Sequence, residues 1–156
     1  MNMNYFFIIA HTPLANALRD CVLHVFPDTS EYIVALDILP NSAPQDALHT
    51  AQLSIKQLFA LPKTTRPNGI VVFTDLFGAT PSNIATELVD GTHVKLVAGV
   101  NLPMLLKAVS YRHESIDSVV SRAITGGIQG VMSVAITPQQ HQKFSSYDQS
   151  QYNHQQ

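Results

Sequence analysis

The sequence predicts an α/β domain of three layers, in which a doubly wound, mostly parallel sheet is covered by helices on both faces. Four short runs rich in β-branched and aromatic residues alternate with longer segments of helical periodicity. Parallel strands need connections of helix length, which these segments provide. We expect the domain to cover residues 1–136, and we expect the Gln- and Ser-rich tail at 137–156 to be disordered.

The first strand is predicted at Tyr5–Ala10, a short apolar run. It is followed at once by Thr12-Pro13, a pair that predicts a helix start with Thr12 as the N-cap and Pro13 as the first helical residue. An apolar stripe runs from Leu14 to Val25 and includes Cys21, which we therefore expect to be buried. The chain thus begins as a strand that leads directly into a helix.

The second and third strands follow the same rhythm. Tyr32–Ile38 is a predicted strand, and Leu48 to Phe59 carries the apolar face of a helix. The most strand-like stretch is Gly69–Thr74, which is bounded by a turn signal before it and by Asp75 after it. A continuous apolar run is typical of a strand buried on both faces, so we place this strand centrally in the sheet.

The rest of the chain continues the alternation of helices and strands. The predicted elements are a helix from Thr80-Pro81 to Asp90-Gly91, a strand at His93–Ala98, helices at Pro103–Ser110 and Ile116–Ile124, the second ended by Gly126-Gly127, and a last strand at Gln129–Ile136.

Composition excludes several classes of function. The net charge of −2 and the scattered nine Lys and Arg residues provide no basic surface for nucleic acid. A single cysteine excludes an internal disulfide, and no apolar run is long enough to cross a bilayer. Because charged residues make up only 13% of the chain, we expect an oligomer that covers part of its surface. We expect a soluble, cytoplasmic protein.

Polar residues follow three of the predicted strands. Open parallel sheets bind ligands beyond the carboxyl ends of their strands, where His11, Asp75 and the segment 100–103 are expected. Thr12-Pro13 and Thr80-Pro81 then start helices, and the unpaired N–H groups of such helix starts favour an anion.

These residues suggest a carrier of a phosphoryl group. A neutral imidazole at His11 can attack phosphorus with one nitrogen while Asp75 accepts the proton-bearing nitrogen and holds the ring. Gly78 and Ala79 allow the backbone to approach a phosphate, and the Thr80 hydroxyl can bind its oxygens. Taken singly, a strand-end histidine can be a polar cap and a strand-end aspartate a turn former. The combination favours a site.

Other candidate roles are less specific. The remaining histidines form no pair at helical spacing, so we expect no metal, and we expect no cofactor. Asn101 and Met104 fit the core or an interface equally well. A nucleotide-binding domain is disfavoured because G-x-G-x-x-G and Walker-type loops are absent, and a receiver domain is disfavoured because no acidic pair follows the first strand.

Three motifs carry a resemblance to a known family. FFIIAHTPLANAL, VVFTDLFGATPSNIA and VKLVAGVNLPMLLKA resemble the IIA component of the mannose class of the bacterial phosphoenolpyruvate-dependent sugar phosphotransferase system, over roughly residues 5–136. The second and third motifs are the distinctive ones. Thr12 and Leu76 stand where many members have glycine and a hydroxyl residue, respectively.

The resemblance implies a cytoplasmic phosphotransferase that takes a phosphoryl group from phospho-HPr onto a histidine and passes it to a IIB partner in sugar transport, with contact to the membrane only through a permease complex. It implies that the last strand, Gln129–Ile136, joins a neighbour's sheet in antiparallel fashion within a homodimer. The implied site consists of the phosphoacceptor His11 with its partner Asp75, the phosphate-binding residues Thr12, Gly78, Ala79 and Thr80, and the rim or partner residues Phe77, Asn101 and Met104.

Two related functions remain open at this point. One is a regulatory phosphorelay protein of the same system that serves no transported sugar. The other is the phosphocarrier unit of a dihydroxyacetone kinase system, which resembles this fold and also begins with a strand-end histidine, although the second and third motifs fit the mannose class better.

Overall fold

A computed structural model describes residues 3–135 and contains four strands and five α-helices there. The elements in chain order are β1 (Tyr5–His11), α1 (Leu14–Val25), a 3-10 helix (Pro27–Tyr32), β2 (Ile33–Ile38), α2 (Pro44–Phe59), β3 (Ile70–Thr74), α3 (Thr80–Thr86), β4 (Val94–Ala98), α4 (Leu102–Ser110) and α5 (Ile116–Gln129).

The four strands form one parallel sheet in the order β2-β1-β3-β4. Its register pairs Ile8 of β1 with Ala35 on one side and with Phe73 on the other. Every residue of β3 is buried, as expected for a strand between two neighbours with helices on both faces. The predicted doubly wound α/β fold and the central place of this strand are confirmed.

Alternate residues of the strands point into two separate cores. Phe6 and Phe73 lie in the core beneath α1, α4 and α5, whereas Phe7 and Val72 lie in the core beneath α2 and α3. All four side chains are fully buried, and each contributes about 1.5–3 kcal/mol by removing apolar surface from water. The two cores hold the sheet between the helix layers and thereby fix the positions of the strand ends at its carboxyl edge.

Helix α1 differs from the expectation at its start and along its face. Pro13 is the N-cap and α1 begins at Leu14, so Thr12 is not the capping residue. Thr12 instead remains in the strand connection, where its N–H donates to the carbonyl of Ile38 at 3.2 Å. The peptide between Thr12 and Pro13 is cis. Cys21 is exposed rather than buried, because the face that packs on the sheet is centred on neighbouring positions of the helix.

Glycines in α5 support close packing and do not end the helix, contrary to the prediction. A Cβ on Gly126 would lie 2.7 Å from Cβ of Lys107, and one on Gly127 would lie 2.7 Å from Cε of Met104. These glycines therefore let α5 approach α4 closely, and the helix continues to Gln129. Helix α3, in contrast, ends at Thr86, before the predicted Asp90-Gly91.

The predicted final strand at Gln129–Ile136 is wrong at its start, and its described part does not form a strand within the single chain. Gln129 belongs to α5, and residues 131–135 are exposed and take no strand conformation. Ile136 and the predicted tail at 137–156 lie outside the described residues. Across residues 3–135, none of the helices combines the length and apolar character needed to cross a membrane.

Candidate phosphoryl-transfer site

The candidate site lies at the carboxyl edge of the sheet, beside the ends of the neighbouring strands β1 and β3. Strand β2 flanks β1 on one side and β3 on the other, so the connections that follow β1 and β3 diverge over opposite faces of the sheet. Such a switch point creates a crevice at the carboxyl edge of a parallel sheet. His11 is the last residue of β1 and Asp75 follows the last residue of β3. The fold therefore brings together the two residues that the sequence singles out.

A single carboxylate oxygen holds both the backbone and the ring of His11. The backbone N–H of His11 donates to Oδ2 of Asp75 at 3.0 Å, and Nδ1 of the ring lies 2.7 Å from the same oxygen. The other oxygen, Oδ1, accepts from the N–H of Leu76 at 2.9 Å. The carboxylate is thus fixed by its own loop and in turn fixes the orientation of the imidazole.

The ionisation of Asp75 defines the tautomer of its partner. Burial opposes the charged form, but the bonds from the His11 side chain and backbone and from the Leu76 N–H together outweigh it and hold the pKa of Asp75 below its ordinary value. An ionised carboxylate can only accept hydrogen bonds, so Nδ1 of His11 carries the proton. Nε2 is then the nitrogen with a free lone pair. The His11 side chain is 52% exposed and Asp75 only 14%, so the ring is accessible while its anchor is sheltered.

The connection from β3 to α3 begins at Asp75, and its backbone is accessible beside the His11–Asp75 pair. Gly78 has a φ of +85°, a left-handed conformation that favours glycine. Ala79 is the N-cap of α3, and no side chain caps that helix start. Thr80 is the first helical residue and is exposed. The N–H of Thr80 is therefore open to an acceptor from outside the chain, whereas Pro81, the next residue, has no N–H.

The N–H groups at the start of α1 already have a hydrogen-bond acceptor within the chain, which the sequence did not predict. Oδ1 of Asp37, from the end of β2, accepts from the N–H of Ala15 at 2.8 Å. Of the two helix starts expected to favour an anion, this one is therefore already occupied by a carboxylate. The signal that could have located this contact is a lone acidic residue near the end of the strand beside β1.

The predicted rim residues fall into two environments. Phe77 is 79% exposed and its neighbour Leu76 is also largely exposed. Asn101 is half-buried and caps α4, with Oδ1 accepting from the N–H of Met104 at 2.9 Å and Nδ2 donating to the carbonyl of Gly127 at 3.1 Å. Met104 itself is buried in the core. Within residues 3–135, no group of three or more His, Cys, Asp or Glu side chains could hold a metal ion.

Solved structures of phosphotransferase proteins share this architecture. The phosphotransferase system component EIIA from Streptococcus agalactiae is 26% identical, with a TM-score of 0.69 over 84% of this chain and 97% of that one. The mannose/sorbose specific IIA subunit from Enterococcus faecalis is 17% identical and shares the fold, with a TM-score of 0.74 over 88% of this chain and 98% of that one.

Sequence comparison agrees with the structural likeness. The mannose-specific EIIAB component of the phosphotransferase system from Escherichia coli is 33% identical over 81 residues, which are 50% of this chain and 25% of that protein. The matched segment therefore spans only about a quarter of that curated relative. The model of the EIIA-man family, described as the PTS system fructose IIA component, matches residues 5–124. The chain therefore belongs to the EIIA-man family of IIA components of the sugar phosphotransferase system.

Proposed function

We propose that this protein is a histidine phosphocarrier that accepts a phosphoryl group on Nε2 of His11 from phospho-HPr and passes it to a IIB component. The observation that carries the proposal is the 2.7 Å contact between Nδ1 of His11 and Asp75. This contact leaves Nε2 free and accessible and provides a fixed negative charge on the far side of the ring. Membership of the family supports the same role.

The reaction requires no group beyond those of the two proteins. The lone pair of Nε2 attacks the phosphorus of the donor's phosphohistidine, an N–P bond forms, and the donor imidazole leaves with the electrons of the old N–P bond. The proton on Nδ1 of His11 stays in place, and Asp75 stabilises the positive charge that develops on the ring. The onward step to IIB is the same exchange in reverse order. Catalysis is then mainly positioning and electrostatic stabilisation.

The β3–α3 connection is suited to bind the phosphoryl oxygens. The uncapped start of α3 presents the backbone N–H of Thr80, and Gly78 supplies the left-handed turn that leads to it. The Thr80 hydroxyl adds a donor at the first residue of the helix. We assign Gly78, Ala79 and Thr80 to phosphate binding and give Thr12, which lies next to His11 and is half-buried, a supporting contact.

Exposed apolar side chains near His11 are suited to partner proteins. Leu39, Leu76 and Phe77 belong to the connections at the carboxyl edge of the sheet, and Leu14 is the first residue of α1. Each of these side chains is exposed. We call these four side chains the apolar rim. A rim of this kind excludes water when a partner closes over the histidine, which strengthens the electrostatic interactions at the transferring group. We propose that HPr and IIB both dock here.

We propose that a second copy of the chain binds along the edge of β4 that does not pair with β3. Among the described strands β4 pairs only with β3, so its other edge has unpaired backbone groups. A mostly apolar groove of about 500 Å³ runs along that edge between β4 and α5. Val131 and Val134, in the segment that follows α5, are largely exposed. We propose a homodimer in which this segment lies against the partner's β4, with residues 1–136 as the folded unit and 137–156 as a tail.

Light scattering on the full-length protein tests the homodimer. The double substitution Val131→Lys and Val134→Lys should convert a dimer to a monomer, because two ammonium groups cannot be buried in an apolar groove. Val25→Lys, at an exposed apolar position on α1, is the matched control and should leave the dimer intact. A monomeric wild type would contradict the proposal.

Phosphorylation in vitro tests the central function. With enzyme I, HPr and labelled phosphoenolpyruvate, wild type should acquire acid-labile label, and His11→Ala should acquire none. His24→Ala, which removes an exposed histidine on α1, is the control and should label normally. Equal labelling of the His11 variant would disprove the proposal. Onward transfer to a mannose-class IIB would favour transport, whereas label that no IIB accepts would favour a regulatory relay.

A further inference from the structure

Helix α1 is capped by a carboxylate from another element. Pro13 at the N-cap has no side-chain acceptor for the orphan N–H groups of the first turn. Asp37 takes that place: Oδ1 accepts from the N–H groups of Ala15 and Asn16, and Oδ2 accepts from Nδ2 of Asn16 at 2.6 Å. The half-buried carboxylate is held by three donors of one helix turn.

This carboxylate lies next to the strand that ends in His11. In the register of the sheet, Asp37 of β2 pairs with Ala10 of β1, one residue before His11. The order β2-β1-β3 places Asp75 beyond the other side of β1. The phosphoacceptor therefore stands between two aspartates with different tasks, since Asp75 binds the ring and Asp37 binds the helix that follows it.

The surroundings leave the charge of Asp37 without a cationic counterpart. The four segments at this edge of the sheet are residues 8–18, 33–43, 72–83 and 97–104, and they contain no Lys or Arg. Their only carboxylates are Asp37 and Asp75. What balances Asp37 is the positive end of α1, equivalent to roughly half an elementary charge. The carboxylate and the helix end thus offset one another.

We propose that Asp37 sets the phosphoryl-transfer potential of His11 by occupying the positive end of α1, so that this helix end does not stabilise the phosphohistidine. The inference rests on the proposed phosphocarrier function. If α1 were uncapped, both it and α3 would attract the phosphoryl dianion, and the group would be retained. With Asp37 present, α3 is the one of these two helices whose start binds the group, and the phosphoprotein stays competent to pass it on.

Asp37→Asn is the informative variant, because the amide keeps an oxygen for the N–H of Ala15 and removes the charge. At equilibrium with phospho-HPr, we expect the ratio of phosphorylated to free protein to rise roughly two- to fivefold, with onward transfer to IIB slowed by a similar factor. Titration with inorganic phosphate, followed by the amide NMR signals of Ala15 and Asn16, should show tighter binding by the same factor.

Two control variants distinguish the effect of the Asp37 charge from the effect of losing a structural hydrogen bond. Asn16→Ala removes the side-chain bond to Oδ2 but keeps the carboxylate, and it should leave both readouts at wild-type values. Asp20→Asn removes one negative charge from an exposed site further along α1 and should do the same. Asp37→Ser, a second neutral variant, should repeat the effect of Asp37→Asn.

Wild-type values for both neutral variants would overturn the proposal. Unfolding of both, seen by circular dichroism, would assign Asp37 to folding alone and would also overturn it. The phosphate titration needs no phosphorylation, so it tests Asp37 even if wild type takes no label. Failure of the phosphocarrier function and failure of this inference are therefore distinguishable.

Discussion

The connections after β3 and after β4 share two sequence features but differ in how their helix starts are capped. Each contains a glycine with left-handed φ, Gly78 at +85° and Gly99 at +81°, and each leads into a helix with proline in its first turn. After β3 the helix start is uncapped, and the side chains of Leu76 and Phe77 are exposed. After β4, Asn101 caps the helix and binds α5. We therefore expect the connection with unsatisfied donors to bind a ligand and the capped connection to serve packing alone.

The largest effect on phosphorylation is expected for Asp75, which belongs to the connection after β3 and contacts His11. Asp75→Asn keeps an oxygen for Nδ1 but loses the charge, so we expect phosphorylation of His11 to slow by roughly 10²-fold. Rapid-quench labelling with phospho-HPr measures the rate. Unchanged transfer would remove Asp75 from the mechanism and would leave the two connections without a functional difference.

The paired glycines give the most direct test of the comparison. Gly78→Ala and Gly99→Ala each place a Cβ on a left-handed residue, so each should cost about 1–2 kcal/mol of folding free energy. A Cβ would meet no atom within 4 Å at either position, which makes the cost conformational in both cases. Only Gly78→Ala should slow phosphorylation, by roughly tenfold, because it displaces the backbone that is proposed to bind phosphate. Urea unfolding and labelling rates measure the two effects, and equal rates for both variants would contradict the assignment.

A substitution in the connection after β4 should lower the stability of the protein without changing its rate of phosphorylation. Asn101→Ala removes the cap of α4 and the bond to Gly127, and the loss of a cap costs about 1–2 kcal/mol. Thermal or urea unfolding should show the decrease while the labelling rate stays within twofold of wild type. A large loss of labelling in a folded variant would move Asn101 into the site.

The smallest effect concerns acid stability. The pKa of Asp75 lies below its ordinary 3.8 in the folded protein, so its contribution is fully present above the unfolded pKa and is lost as pH falls through the folded one. The difference in unfolding free energy between wild type and Asp75→Asn should therefore shrink from pH 6 to pH 3. Asp90→Asn is the control: backbone N–H groups, that of Val94 first, also lower the pKa of Asp90, so the same acid trend should appear without any loss of labelling.

Sequence reasoning located the two residues at the centre of the candidate site because strand ends can be predicted from apolar runs. Tyr5–Ala10 and Gly69–Thr74 are continuous and apolar, and parallel strands bring their carboxyl ends together, so His11 and Asp75 had to lie on one edge. Which helix starts are open could not be read in this way. The acceptor for α1 is Asp37, 22 positions from Ala15 in the sequence, and no local pattern relates the two.

The helix ends were misjudged for a related reason. Gly126-Gly127 has the local signature of a terminator, yet both glycines serve the contact with α4, which is set by tertiary packing. At Thr12-Pro13 the ladder to Ile38 keeps Thr12 outside the helix that its side chain was expected to cap. In both cases a long-range contact overrides a correct local preference.

One oxygen of Asp75 holds both the main chain and the ring of His11, and this has a kinetic consequence. The imidazole cannot rotate to present its second nitrogen without breaking the hydrogen bond that orients it. Under the proposed function, a phosphorylated ring therefore presents the phosphoryl group in one direction only. The proposed donor and acceptor would then bind the same surface one after the other. Steady-state assays should give parallel double-reciprocal lines, with unphosphorylated HPr competing against IIB.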